Sequence, residues 1–118
     1  MSYPFDIRDL QYSINKWRES NSTLKTSEEA LIGAFEEMGE LSHAHLKCMQ
    51  GIKDPIEMDV KKKDAIGDII IFLIHYCNLH GFDLEEIILE TWDHVKKRNY
   101  NDYIKDNKIH YTKLNHSS

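Results

Sequence analysis

The chain has 118 residues, with 15 Lys+Arg against 20 Asp+Glu for a formal charge of −5, and is 41% hydrophobic and 30% charged. Its length suits one domain of about 100–150 residues and its composition suits a soluble globular protein rather than a disordered or fibrous one. The acidic balance disfavours a duplex-binding module, and the longest apolar run, residues 69–74, falls well short of the roughly 18–20 residues of a membrane span.

The first residues, Met1-Ser-Tyr-Pro-Phe-Asp, lack the basic and apolar regions of a signal peptide, so a cytoplasmic protein without nucleic-acid or membrane partners is expected. A first helix is predicted over 6–20, with Asp6 as N-cap and Ile7, Leu10, Ile14 and Trp17 on one stripe. Residues 21–26 read as a polar connection. A second helix begins at Ser27, where Glu28 and Glu29 suit the positive end of the helix dipole, and runs to about Gln50 before Gly51 stops it. Its expected core stripe is Leu31, Ala34, Phe35, Met38, Leu41 and His45.

After a loop over 51–55, a third helix is predicted over 56–79, ending at Gly81. Asp83 caps a fourth, with Glu86 completing a capping-box-like pattern and Leu84, Ile87, Ile88 and Val95 on its stripe, and its end is expected between Arg98 and Asp102. Residues 103–114 alternate apolar and polar around Asp106-Asn107-Lys108, as in a short hairpin, and 116–118 read as frayed. The expectation is thus a single all-α, four-helix bundle-like domain with a core over about 6–102 and a tail over 103–118. Cys48 and Cys77 belong to no Cys-x-x-Cys pair, which argues against a structural zinc site, and they read as small buried apolar groups.

The acidic residues are not evenly spread. On the second helix, Glu36-Glu37-Met38-Gly39-Glu40 puts Glu37 and Glu40 one turn apart, with Glu37 beside Ala34 and Leu41 at the edge of the apolar stripe. Such a string by itself reads as a solvated acidic face. The third helix adds weight, because Asp64-Ala-Ile-Gly-Asp68 runs into Ile-Ile-Ile-Phe-Leu-Ile-His75 and is apolar around most of its circumference, so burial is expected. Asp64, Asp68 and His75 then form one polar column. Buried carboxylates must be paired, hydrogen-bonded or bound to a cation. Facing the glutamates, they would complete an oxygen-ligand cage for Mg²⁺, with Mn²⁺ as the alternative ion. His75 reads as a hydrogen-bonded core residue rather than a ligand.

These residues resemble the all-α nucleotide pyrophosphohydrolases of the MazG type, whose signature is Glu-Glu-x-x-Glu on one helix and Glu-x-x-Asp on the next core helix. The first half is Glu36, Glu37 and Glu40, and the second is Gly67-Asp68 followed by the apolar run. The segment Trp92-Asp93-His94-Val95-Lys96-Lys97-Arg98 is similar to the family's Asn-x-x-Lys-x-Arg stretch, so the resemblance spans about 6–98. One departure stands out. The glutamate three residues before the aspartate is Ala65 here, and Asp64, one residue earlier, becomes the candidate fourth carboxylate. The asparagine seven residues past the aspartate in many members is His75.

The resemblance implies hydrolysis of a nucleoside triphosphate between the α and β phosphates. Mg²⁺ would be held by Glu37, Glu40, Asp68 and Asp64. Glu36, or whichever carboxylate is left unligated, would take a proton from water. Lys96 and Arg98 would clamp phosphates. It also implies a homodimer or homotetramer, which the apolar third helix favours independently because it needs cover on several sides. Lys61, Lys62 and Lys63, just before Asp64, read as a solvated turn rather than a phosphate site, and Tyr3, Trp17, Phe35 and Trp92 are candidates for a wall against the base. Two other readings compete. Glu40-Leu-Ser-His43 suggests a di-iron bundle, but the chain has no second Glu-x-x-His. A non-catalytic interaction or regulatory protein keeping the same fold is the alternative that Ala65 permits.

Overall fold

The computed structural model describes residues 5–21 and 26–98, which form an all-α structure of four helices with no strand among the described residues. They are α1 (Ile7–Asn21), α2 (Ser27–Met49), α3 (Pro55–His80) and α4 (Leu84–Val95). Each start has a side chain that takes otherwise orphaned backbone N–H groups. Asp6 accepts from the N–H of Arg8 at 2.9 Å and of Asp9 at 3.3 Å. The Thr26 hydroxyl accepts from the Glu29 N–H at 3.2 Å and donates to the Glu29 carboxylate at 3.0 Å. Asp54 accepts from the Ile56 N–H at 3.0 Å, with Pro55 in the first turn where its missing N–H costs nothing. Asp83 accepts from the Glu85 N–H at 3.1 Å.

Gly81 closes α3 in the left-handed conformation, φ 70°, which lets the Phe82 N–H reach back to the Cys77 carbonyl at 2.9 Å. The end of α4 differs from expectation, falling at Val95 rather than between Arg98 and Asp102. Beyond it the N–H groups of Lys97 and Arg98 bond three residues back, to His94 at 3.3 Å and Val95 at 3.1 Å, a tightened turn in which the α-helix runs out. The hairpin predicted over 103–114 and the frayed end over 116–118 lie outside the described residues. Among those described, no single helix is long and apolar enough to cross a membrane.

The chain divides into two compact units, the first ending at Glu85 and the second starting at Glu86. In the first unit α2 packs along α3 and α1 packs on α3. The short connection between α2 and α3 makes an αα-hairpin, and Gly33, near the start of α2, lies against Phe72, toward the end of α3, so the two helices run antiparallel. On α2 a row of covered positions runs through Ala30, Ala34, Glu37, Leu41, Ala44 and Cys48, and on α3 one runs through Met58, Lys62, Ala65, Ile69, Phe72 and Tyr76, with Ile74, His75 and Cys77 buried beside it toward the end of α3. Both sets step by four and three in turn, the spacing that keeps one stripe against a neighbouring helix. The alanines at 30, 34, 44 and 65 are buried, the others in part or fully, and small side chains of this kind let the helix backbones approach closely.

α1 is fastened to α3 by Gln11 and Asn78. The Gln11 amide donates to the Asn78 side chain at 3.0 Å and to the Phe82 carbonyl at 2.7 Å, and the Asn78 amide donates to the Gln11 carbonyl at 3.1 Å. The Gln11 side-chain oxygen also accepts from the Leu84 N–H at 3.1 Å, and Arg8 pairs with Asp83 and Glu85 at 2.9 Å each. One glutamine thus satisfies groups on both sides of the turn after α3.

The core stripes differ from those expected. On α2 the seam uses Ala30, Glu37, Ala44 and Cys48, while Leu31, Met38 and His45 are exposed and Phe35 is 80% exposed. Choosing the stripe by side-chain hydrophobicity picked the large residues, whereas close helix packing selects small ones. On α1 Ile14 is buried but Trp17 is exposed. α3 is not covered all round either: Ile66, Ile70, Ile71 and Leu73 are exposed, because apolarity around a helix does not supply neighbours on every side. On α4, Ile87 and Ile88 are exposed.

A Cβ at Gly33 would meet the Phe72 ring at 2.7 Å from Cδ1 and Cζ and nearer still to Cε1. Gly33→Ala is therefore expected to lose about 1–3 kcal/mol through overpacking, reduced by about 1 kcal/mol of gained helix propensity. In a Phe72→Leu background the same exchange should be neutral or stabilising. Urea unfolding of the four proteins checks this, and an equal response in both backgrounds would contradict the contact.

Candidate functional site

The α2/α3 hairpin opens along one edge into a cleft of about 560 Å³. Glu36, Gly39, Glu40, His43 and Ala44 line it from α2, and Lys61, Asp64 and Asp68 line it from α3. The antiparallel register explains the gathering. With Gly33 against Phe72, one turn further along α2 and one turn back along α3 bring Glu37 level with Asp68, and two more turns bring Ala44 level with Lys61. Four carboxylates expected from the sequence, Glu36, Glu40, Asp64 and Asp68, thus share one cleft.

Glu37 differs from these four. It occupies a seam position, is half-buried, and its Oε2 is buried with no hydrogen-bond partner among the described residues. Its carboxyl is held above the ordinary value of 4.5, first because the seam strips away its water, then because a proton on Glu37 hydrogen-bonds to Glu40, and further because Glu40, Asp68 and Glu36 repel a second negative charge. The electrostatics thus couple Glu37 to Glu40, Asp68 and Glu36.

The buried polar column on α3 is not observed as expected. Asp64 and Asp68 are exposed on the cleft wall, while His75 is 4% exposed and takes no part in lining it. One stripe of a helix changes its surroundings along its length: at Asp64 and Asp68 it borders an open cleft, whereas farther along α3, Asn78 is fastened to α1. The carboxylate with a buried, unpartnered oxygen is Glu37. Ala65, standing where the resembled family has glutamate, is buried in the seam, and the neighbouring Asp64 carries its carboxylate into the cleft.

Lys96 and Arg98 belong to the second unit. There Lys96 pairs with Asp93 at 3.3 Å, beside Lys97 at 3.0 Å from the same carboxylate, and Arg98 is exposed. Among the candidate base walls, Trp17, Phe35 and Trp92 are exposed and Tyr3 lies outside the described residues. Two cleft residues carried other readings in the sequence, Lys61 as part of a solvated turn and His43 as half of a Glu-x-x-His pair. Their signal was positional: Lys61 stands three and seven residues before Asp64 and Asp68, and His43 three after Glu40, so each shares a helix face with the carboxylates.

Among the described residues no three His, Cys, Asp or Glu side chains stand close enough together to hold a metal ion. The donor chemistry nevertheless fits a hard divalent cation: carboxylate oxygens predominate, and one buried oxygen lacks any partner. The chain matches no protein-family model, no curated protein and no solved structure. Fold and cleft together define an all-α protein whose antiparallel helix pair presents a carboxylate-lined cleft beside a strained glutamate.

Because the Glu37 carboxyl is raised in the folded state, its contribution to stability is full below the ordinary value of 4.5 and is lost as pH rises through the folded value. At neutral pH its charge therefore opposes folding when no cation is added. Glu37→Gln should raise the melting temperature of chelator-treated protein at pH 7, and the gain should shrink as pH falls through the raised folded value and be gone below about 4.5. A thermal-unfolding series across that range measures both.

Proposed function

We propose that the α2/α3 cleft is the active site of a divalent-metal-dependent nucleotide pyrophosphohydrolase. It would hydrolyse a ribo- or deoxyribonucleoside triphosphate to a monophosphate and pyrophosphate. The observation that carries this reading is the half-buried Glu37 carboxylate, repelled by Glu40, Asp68 and Glu36 and with an oxygen that no group among the described residues satisfies. Such a cluster is costly without a cation, and the sequence resemblance names the same residues.

Mg²⁺ or Mn²⁺, held by Glu37, Glu40, Asp68 and Asp64, would offset phosphate charge and lower the pKa of a bound water. Glu36, exposed on the cleft wall and outside that ligand set, is the group left to accept the proton of the attacking water. The water oxygen bonds to the α phosphorus, the bond from that phosphorus to the bridging oxygen breaks, and the electron pair leaves with pyrophosphate. The phosphate-binding role of Lys96 and Arg98 rests on the sequence resemblance alone. A cytoplasmic setting goes with this reading, since it supplies the substrate.

Purified protein incubated with Mg²⁺ and a panel of nucleoside triphosphates should release monophosphate and pyrophosphate from at least one. Glu37→Gln and Asp68→Asn should each reduce turnover by about 10²-fold or more, since each removes a ligand that positions the charge-neutralising ion. No turnover with any nucleotide, with Mn²⁺ as well as Mg²⁺, would favour the second reading, a non-catalytic helical interaction or regulatory protein. The exposed Ile32, Phe35, Ile66 and Ile70 give that reading its specific support.

The same exposed side chains support a proposed homodimer or homotetramer, since large apolar groups on two neighbouring helices gain about 25 cal/mol per Å² when covered. Light scattering should give a multiple of the chain mass, and Phe35→Ser should shift it toward the single chain. A wild-type protein that stays monomeric at high concentration would contradict self-association.

A further inference from the structure

The cleft has two chemically different ends. With Gly33 against Phe72, the helix register puts the lining residues Glu36 and Asp68 toward one of them, next to the seam glutamate Glu37, and Lys61, with Ala44 level with it and His43 beside, toward the other. Lys61 stands one turn from Asp64 and two from Asp68 along α3, with a rise of about 10 Å along the helix axis from Lys61 to Asp68. Its neighbour Lys62 is engaged by Asp59 at 3.5 Å, but Lys61 makes no ion pair among the described residues. An unpaired ammonium inside a carboxylate-lined cleft is available to an anionic ligand rather than committed to the fold.

Resting on the hydrolase reading above, we propose that Lys61 binds the β and γ phosphates of the nucleotide and stabilises the pyrophosphate that leaves. Negative charge grows on the leaving oxygens as the bond to the α phosphorus breaks, and an ammonium fixed beside them stabilises that charge where it develops. The carboxylate end takes the reacting α phosphate, because the proton acceptor Glu36 is there. The lysine end takes the terminal phosphates. The nucleotide is thereby oriented with its phosphate tail toward the loop that joins α2 to α3. This polarity also makes a triphosphate a better ligand than a monophosphate, which cannot reach both ends.

The test is calorimetric binding of inorganic pyrophosphate in the presence of Mg²⁺ to the wild-type full chain and to Lys61→Ala, Lys61→Arg and Lys63→Ala. Lys63 is exposed and does not line the cleft, so it controls for general loss of positive charge. Lys61→Ala should weaken pyrophosphate binding by about tenfold or more, as expected for loss of a charge-assisted hydrogen bond. Lys61→Arg should keep most of the affinity, Lys63→Ala should match wild type, and Mg²⁺ binding alone should not weaken in any of them. Equal affinities for wild type and Lys61→Ala, or equal losses in Lys61→Ala and Lys63→Ala, would overturn the assignment while leaving the hydrolase reading to its own nucleotide panel. Failure of the wild-type protein to bind pyrophosphate would overturn it as well.

Discussion

The close approach of α2 and α3 governs the rest of the described structure. Alanines at 30, 34, 44 and 65 and the bare backbone of Gly33 against the Phe72 ring bring the two helices together where bulkier residues would hold them apart. Because the seam repeats by fours and threes, a residue on it is partly stripped of water whatever its chemistry. Glu37 falls on that repeat, between Ala34 and Leu41. Its strained carboxyl follows from the packing, as does the placement of Glu36, Glu40, Asp64 and Asp68 along the open edge of the same seam.

A helix pair that buries alanines gains less per residue than one that buries leucines, since burial scales with apolar area. The large side chains of this protein lie elsewhere. Ile32 and Phe35 of α2 and Ile66, Ile70 and Ile71 of α3 are exposed, and the α1 junction relies on a polar clasp of Gln11, Asn78 and Arg8. The division is functionally coherent with the proposed site. Small residues bring carboxylates together inside one chain, and large ones stay exposed, where the proposed self-association would use them.

Helix starts were legible from the sequence because caps are local. Asp6 and Asp83 each need only to bend back to an N–H two or three residues on, whereas Asp54, which does the same for α3, reads in the sequence as part of a loop. The end of α4 was less so, since no glycine or proline marks it and the helix runs out through short-range turns. The stripe on α2 was misread for a different reason: hydrophobic periodicity finds the largest apolar residues, and here two stripes compete, one of large side chains and one of small. The acidic members of the site were legible as a motif, Glu36-Glu37-x-x-Glu40 with Asp64 and Asp68. Lys61 was not, because a run of three lysines looks alike along its length until a neighbouring helix singles out one of them.

By itself the sequence determined the all-α class, the four helices and the acidic residues from which a site would be drawn, because periodicity, caps and spacing act over a few residues. Only the tertiary structure decided which carboxylate is strained, which lysine shares its cleft and which apolar face is left open. Those depend on the register of α3 against α2, and that register is set by how closely two helices can pack at Gly33 and Phe72, 39 residues apart in the chain.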